Sequence, residues 1–178
     1  MTLSNRSSLF VTGVLLSSFA LGSAAAQSSA GREPAARLTL AQANVIVTKA
    51  LEHAREEGYA PLSVVVLDDS GALKAMQRED GASMFRFDIA TGKAWASVGM
   101  GASSRILAQR ARENPNFFIT LAAAADGKFL PQTGGVLIKN AAGEILGAAG
   151  ASGASGDQDE AAVIHGIEQA GLVADVPR

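Results

Sequence analysis

The sequence contains no cysteine. That excludes disulfides, thiolate nucleophiles, cysteine-ligated metal sites and a lipid anchor attached through cysteine. Histidine is almost as scarce: His53 and His165 are the two present, too few for an all-protein zinc site. Basic residues do not dominate either, with 15 Lys+Arg against 17 Asp+Glu and a formal net charge of −2. This balance argues against nucleic acid or an anionic membrane surface as a partner. The long apolar run Leu9 to Leu21 is too short to span a bilayer comfortably. Glycine is plentiful, yet the glycine-rich segment after residue 146 has neither G-K-[ST] nor G-x-G-x-x-G before its helix, so it is not a nucleotide loop.

The apolar run belongs to a targeting segment. Arg6 supplies a positive n-region, and Ala24-Ala25-Ala26 satisfies the small-x-small cleavage rule. The predicted organisation is a signal peptide over 1–26, a disordered Ser/Ala/Gly/Pro-rich linker over 27–37, and one domain over 38–178. The expected location is periplasmic or secreted, with no stable membrane insertion after cleavage.

What remains is long enough for one domain with its own core. Thr39 to Gln42 has capping-box spacing and opens a helix that ends at Gly58. Its predicted stripe is Leu40, Ala43, Val47, Ala50 and Ala54, with His53 on the border. Leu62 to Asp68 and Leu73 to Arg78 flank the turn Asp69-Ser70-Gly71, which predicts a hairpin. Val64 to Leu67 does not alternate, so burial on both faces is expected. Met84 to Met100 reads as a helix of small residues, followed by a short helix capped by Ser103 or Ser104 and ended by Asn114-Pro115-Asn116. Phe117 to Ala125 is an apolar strand or turn. Val136 to Lys139 and Glu144 to Ala151 form a second hairpin around Gly143. The second of these strands is almost all Gly and Ala, which lets a helix or ligand approach its backbone. Ser155 to Gln158 is a second capping box, and the helix it opens stops at Gly171. The class is α+β, with an antiparallel sheet of about five strands and flanking helices.

Several residues carry candidate chemistry. Phe85, Phe87, Trp95, Phe117, Phe118 and Phe129 cluster in sequence, and two readings stay open: a wall for a flat ligand, or a core or subunit interface. Arg78, Arg86, Lys93 and Arg105 lie nearby, suited to a planar acid or simply forming a solvated helix face. His53 and His165 are potential iron ligands or plain packing residues. Gly150-Ala151-Ser152-Gly153-Ala154 approaches the G-x-S-x-G nucleophile elbow but ends in Ala, and His165 on the following helix is poorly placed to serve it.

Taken together, Val64 to Ala82, Asp88 to Ser97, Gly134 to Gly153 and Asp157 to Gly171 make the domain resemble the GlcG/HbpS family of small haem-binding proteins. The resemblance implies a profilin-like five-stranded antiparallel sheet with helices on both sides, and a homo-oligomer. It implies haem binding, in sensing, buffering, uptake or degradation, with an iron ligand that varies between members. Many members have no established activity, so a binder is expected rather than an enzyme. Here His53 sits where some relatives carry a His ligand, and is the expected metal ligand. Arg78 and Arg86 are the expected propionate partners, and Phe117 and Phe118 the expected porphyrin surface. Gln132-Thr133 departs from the Pro that many members place before the paired glycines. The alternative from another class is an enzyme or binder for a small organic acid, with Arg78 and Arg86 on the carboxylate and Asp80 as base.

Overall fold

The computed structural model describes residues 36–176. The expected leader and all but the last two residues of the expected linker lie outside the described residues. The elements are α1 (Leu40–Glu56), β1 (Ser63–Asp68), β2 (Leu73–Arg78), α2 (Phe85–Met100), α3 (Ser104–Glu113), α4 (Pro115–Ala124), β3 (Gly135–Lys139), β4 (Ile145–Ser152), α5 (Gly156–Gln169) and β5 (Val173–Ala174). The strands form one antiparallel sheet in the order β2-β1-β4-β3-β5.

Local chemistry explains most boundaries. Thr39 and Ser155 each close a reciprocal capping box with the Gln three residues on, fixing the starts of α1 and α5. Asp68 organises the first hairpin by accepting from the Ser70 hydroxyl and from the amides of Ser70 and Ala72. The Ser70 hydroxyl, those amides and nearby Lys74 hold its carboxyl below the usual range, against the opposing effect of partial burial.

Helices cover both faces of the sheet. Val64, Val66, Val136, Ile138, Ala149 and Ala151 point toward α1 and α5. Val65, Leu67, Leu137 and Ala148 point toward α2. The Val64 to Leu67 segment is thus buried on both faces, as its unbroken apolar run implies. A third cluster, Ala96, Leu107, Phe118 and Phe129, lies between α2 and the α3–α4 pair.

Two expectations need correcting. Phe117 to Ala125 is neither strand nor turn: it forms most of α4. Asn114 ends α3 and also caps α4 through Phe117 N–H, and Pro115 sits at the first helical position, where its missing N–H costs nothing. The fifth strand is instead β5, which adds to the β3 edge. Leu40 is also not part of the buried stripe. It is 56% exposed, and Ile46 and Leu51 take core positions instead.

The tightest packing is where β4 meets α2. A Cβ built on Gly150 would collide with the Ala90 carbonyl oxygen and stand 3.0 Å from Ala94 N. Gly150→Val should therefore destabilise the protein by about 2 kcal/mol or more, because neither backbone can yield. A urea denaturation midpoint equal to that of the parent protein would refute this packing.

Candidate functional site

Helices α1 and α5 touch through Gly166, whose missing side chain leaves room for the Ile46 carbonyl and for Ala50, 3.2 Å from where a Cβ would stand. This close approach brings the next residues together. His165 precedes Gly166, and His53 lies one turn beyond Ala50. Their imidazole rings stack with centroids 4.5 Å apart and planes 11° from parallel. Tyr59 follows the left-handed Gly58 and sets its ring edge-on to His53 at 6.0 Å. Both imidazoles are half-buried. Glu52 also stands close by. Its carboxyl is held below the usual range mainly by its bond to Lys49, with a small contribution from His165.

His53 is the ligand expected from the resemblance, and no sequence feature links it to His165. The structure gives both rings similar exposure and puts them in contact. Sequence spacing carries no trace of this pairing. The signal that points to it is Gly166, a glycine inside an otherwise regular helix, which marks a close helix crossing. Among the described residues neither imidazole makes a hydrogen bond, and no group of three or more His, Asp or Glu is arranged to hold a metal ion. A porphyrin iron would ask the protein for few donors, and imidazole nitrogens are donors of a suitable type.

The other expected site residues lie elsewhere. Arg78 ends β2 and is exposed. Arg86 begins α2 on the opposite face of the sheet from α1 and α5, with its Nη1 3.5 Å from Ser152 Oγ. Phe118 is buried against Phe129 at 5.8 Å, and Phe117 is 48% exposed with its ring edge-on to Phe118. Phe118, Ile119, Phe129 and Pro131 line an open apolar groove of about 280 Å³ on α4. Within one subunit the imidazoles, arginines and phenylalanines therefore occupy three separate places. The aromatic cluster seen in sequence divides as well: Trp95 and Phe87 pack under α2, Phe118 and Phe129 form the outer cluster, and Phe85 is 63% exposed.

Lys93 and Arg105 are not free cations. The face of α2 that carries Ala90, Lys93 and Ser97 is not solvated but packs on the sheet. Lys93 is 4% exposed and donates to Asp159 Oδ2 at 2.8 Å and to the Ala151 carbonyl at 2.9 Å. Arg105 binds Glu160 through Nε at 2.7 Å and also meets Asp157, and these two carboxylates hold its guanidinium well above the ordinary range. Ser152 is 1% exposed at the end of β4, on the α2 face and away from His165, so no serine–histidine pair forms.

This is an antiparallel α+β sandwich of profilin-like form, with a pair of half-buried imidazoles between two helices on one face. A family model described as "Haem degrading protein HbpS-like" matches residues 38–168, and the chain belongs to that family. A double mutant of the Streptomyces reticuli protein HbpS is similar at 29% identity and a TM-score of 0.66, over 76% of this chain and 88% of that one. A structure titled as a PduOC:Heme complex is similar at 22% identity and a TM-score of 0.71, over 79% of this chain and all of that one. The Klebsiella pneumoniae protein ORFY is similar at 20% identity and a TM-score of 0.69, over 79% of this chain and 96% of that one. The last two likenesses show the fold. Comparison with curated protein sequences gives no match.

The buried ion pair makes a sharp prediction. Lys93→Met leaves Asp159 buried and unpaired and should cost about 3–5 kcal/mol. The double change Lys93→Met/Asp159→Leu should recover most of that loss, because it removes both charges. If urea denaturation finds the double variant no better than the single one, Lys93 acts through its packed stem rather than its charge.

Proposed function

We propose that this chain is an exported haem-binding protein whose iron ligand comes from the stacked pair His53–His165. The observation that carries this reading is the pair itself: two half-buried imidazoles in contact, with no hydrogen-bond partner among the described residues, in a member of the HbpS-like family. The protein called PduOC, alike in fold, has been seen in complex with heme. Haem would supply the redox chemistry of iron, and His53 or His165 would hold the iron through an imidazole nitrogen. Lys49, one turn before His53 on the same helix, is placed to meet a propionate in exchange for its bond to Glu52. An exposed pair of this kind contributes little to stability, so giving it up costs little. The role is haem sensing, buffering, uptake or degradation.

We also read the protein as a homo-oligomer, periplasmic or secreted after loss of residues 1–26. Exposed Phe117 and Ile119, the latter at 69%, form more apolar surface on α4 than one subunit buries. Such surface in a partner subunit would complete the porphyrin wall that the imidazole pair lacks.

Hemin titration tests the ligand. The parent protein should give a Soret band that saturates at a fixed stoichiometry. His53→Ala should move its maximum and weaken binding by about tenfold or more, roughly 1.4 kcal/mol. His165→Ala should also alter the spectrum, since each ring positions the other. Unchanged hemin spectra and affinity in the His53→Ala/His165→Ala protein would exclude imidazole ligation.

A further inference from the structure

Strand register aligns three residues at one end of the sheet. Ser63 pairs with Arg78 on one side and with Ser152 on the other. Directly paired residues of antiparallel strands share a face. By alternation this row shares the face of Val65 and Leu67, beneath α2. Arg86, in the first turn of α2, reaches down to Ser152 at 3.5 Å, the outer limit of a hydrogen bond. With strands about 4.8 Å apart, the Cα atoms of Arg78 and Ser152 are roughly 10 Å apart, and an arginine side chain spans more than half of that. The row thus sets Arg78 beside two serines, with Arg86 reaching the second of them from α2.

The unsatisfied bonding capacity here points to a ligand. Ser63 is fully buried and its Oγ has no hydrogen-bond partner among the described residues. Buried hydroxyls normally have one, and leaving one without costs stability. Neither Arg78 nor Arg86 has a carboxylate partner among the described residues. Arg86 has five N–H donors and uses one weakly. The first turn of α2 receives no side-chain cap from Met84, so the positive end of a 16-residue helix adds to the same field. Two of the neighbouring carboxylates, Glu79 and Asp88, are engaged or turned elsewhere. Glu79 accepts from Arg55 and from the Leu62 amide. Asp88 lines a cleft with Trp95 and Lys128. Asp80 is exposed on the rim of an open cleft that it shares with Gln77 and Arg78. Helix α2 packs on β1, β4 and β3, and beside it Met76 and Arg78 of β2 are exposed.

We propose that Arg78, Arg86, Ser63 and Ser152 form a binding site for a small organic carboxylate. The planar guanidinium fork matches the two oxygens of a carboxylate, and the serine hydroxyls donate from below. The sheet lies between this site and the imidazole pair, so one haem cannot use both within a subunit. The two sites are therefore independent.

The test is a titration of the full chain with sodium succinate, and separately with inorganic phosphate, at constant ionic strength set by chloride. The readout is the NMR signal of the arginine Nε–H groups, together with the thermal midpoint of each ligand-free variant. Succinate should give a saturable shift at Arg86. Arg86→Lys and Arg78→Lys should each weaken it tenfold or more, since an ammonium cannot bind two oxygens in a fork. Ser63→Ala should weaken it too, while holding or raising the thermal midpoint, because the orphan hydroxyl is gone. A lowered midpoint with unchanged succinate affinity in Ser63→Ala would make that serine structural and overturn the site. Absence of a saturable succinate shift overturns it as well, and saturation by phosphate alone overturns the carboxylate assignment. No hemin enters the titration, so its result is independent of the imidazoles.

Discussion

Helix α2 rests on bare backbone. β4 lies at the centre of the sheet, and at Gly150 it offers the helix nothing but main chain. Dispersion attraction falls off steeply with separation, so a contact this close is worth having only if it is continuous. The Ala and Gly residues of both elements keep it so: Ala90 and Ala94 on the helix, Ala148 and Gly150 on the strand. The same closeness fixes the position of everything α2 carries. Arg86 and Lys93 are both held near the end of β4, at Ser152 and Ala151, and α3 and α4 are packed on the far side. On the opposite face Gly166 does the same for α5 against α1, and the imidazole pair results from it.

Charge then ties the layers together. Lys93 belongs to the helix on one face and Asp159 to the helix on the other, and they meet where Gly134 and Gly135 leave space. A Cβ on Gly134 would stand 2.7 Å from Lys93 Nζ, and one on Gly135 would meet the Lys93 carbonyl. The paired glycines are thus required by a side chain more than forty positions earlier in the sequence. Burying two charges is expensive, and this pair offsets the cost with further bonds to the Ala151 carbonyl and the Ala154 amide. Serines extend the stitching: Ser103 and Ser104 stand at the start of α3 but spend their hydroxyls on the amides of Leu137 and Gly135. The acidic first turn of α5 receives Lys93 at Asp159 and Arg105 at Asp157 and Glu160.

What was legible in the chain is what depends on near neighbours. Capping boxes, glycine stops and the two hairpins depend on residues within four positions of one another, and all of them stand where their chemistry places them. The small-residue strand was legible for the same reason, since lack of bulk is a local property. α4 was not, because Asn-Pro both ends one helix and begins another, and composition alone cannot tell a stop from a restart. Leu40 was misplaced because a stripe drawn by spacing has no knowledge of where the partner helix begins. The candidate site was harder still. His53 and His165 meet only because two helices cross at Gly166, and Arg78, Ser63 and Ser152 align only because of strand register. Proximity in sequence grouped the aromatics and cations of residues 78–129, and the fold divides them between the α2–sheet layer and the outer cluster of α2, α3 and α4.

The separation of imidazoles from arginines changes what a single subunit can do. On the proposed reading, a haem on the α1–α5 face would have to find its remaining apolar contacts outside the chain that supplies the imidazole, because Phe117 and Phe118 lie beyond the sheet and α2. The exposed side chains of α4 are surface of the kind that a neighbouring subunit can supply. In such an assembly, association and haem binding would be linked: a ligand that binds only the assembled form stabilises it by mass action, and assembly in turn raises the affinity for the ligand. The arginine end of the sheet needs no such help. Its donors all come from β1, β2, β4 and α2 of one chain, and its hydroxyl floor is set by register rather than by association. If the proposed assembly and both proposed sites exist, dilution to monomers should separate them, weakening hemin binding while leaving carboxylate binding intact.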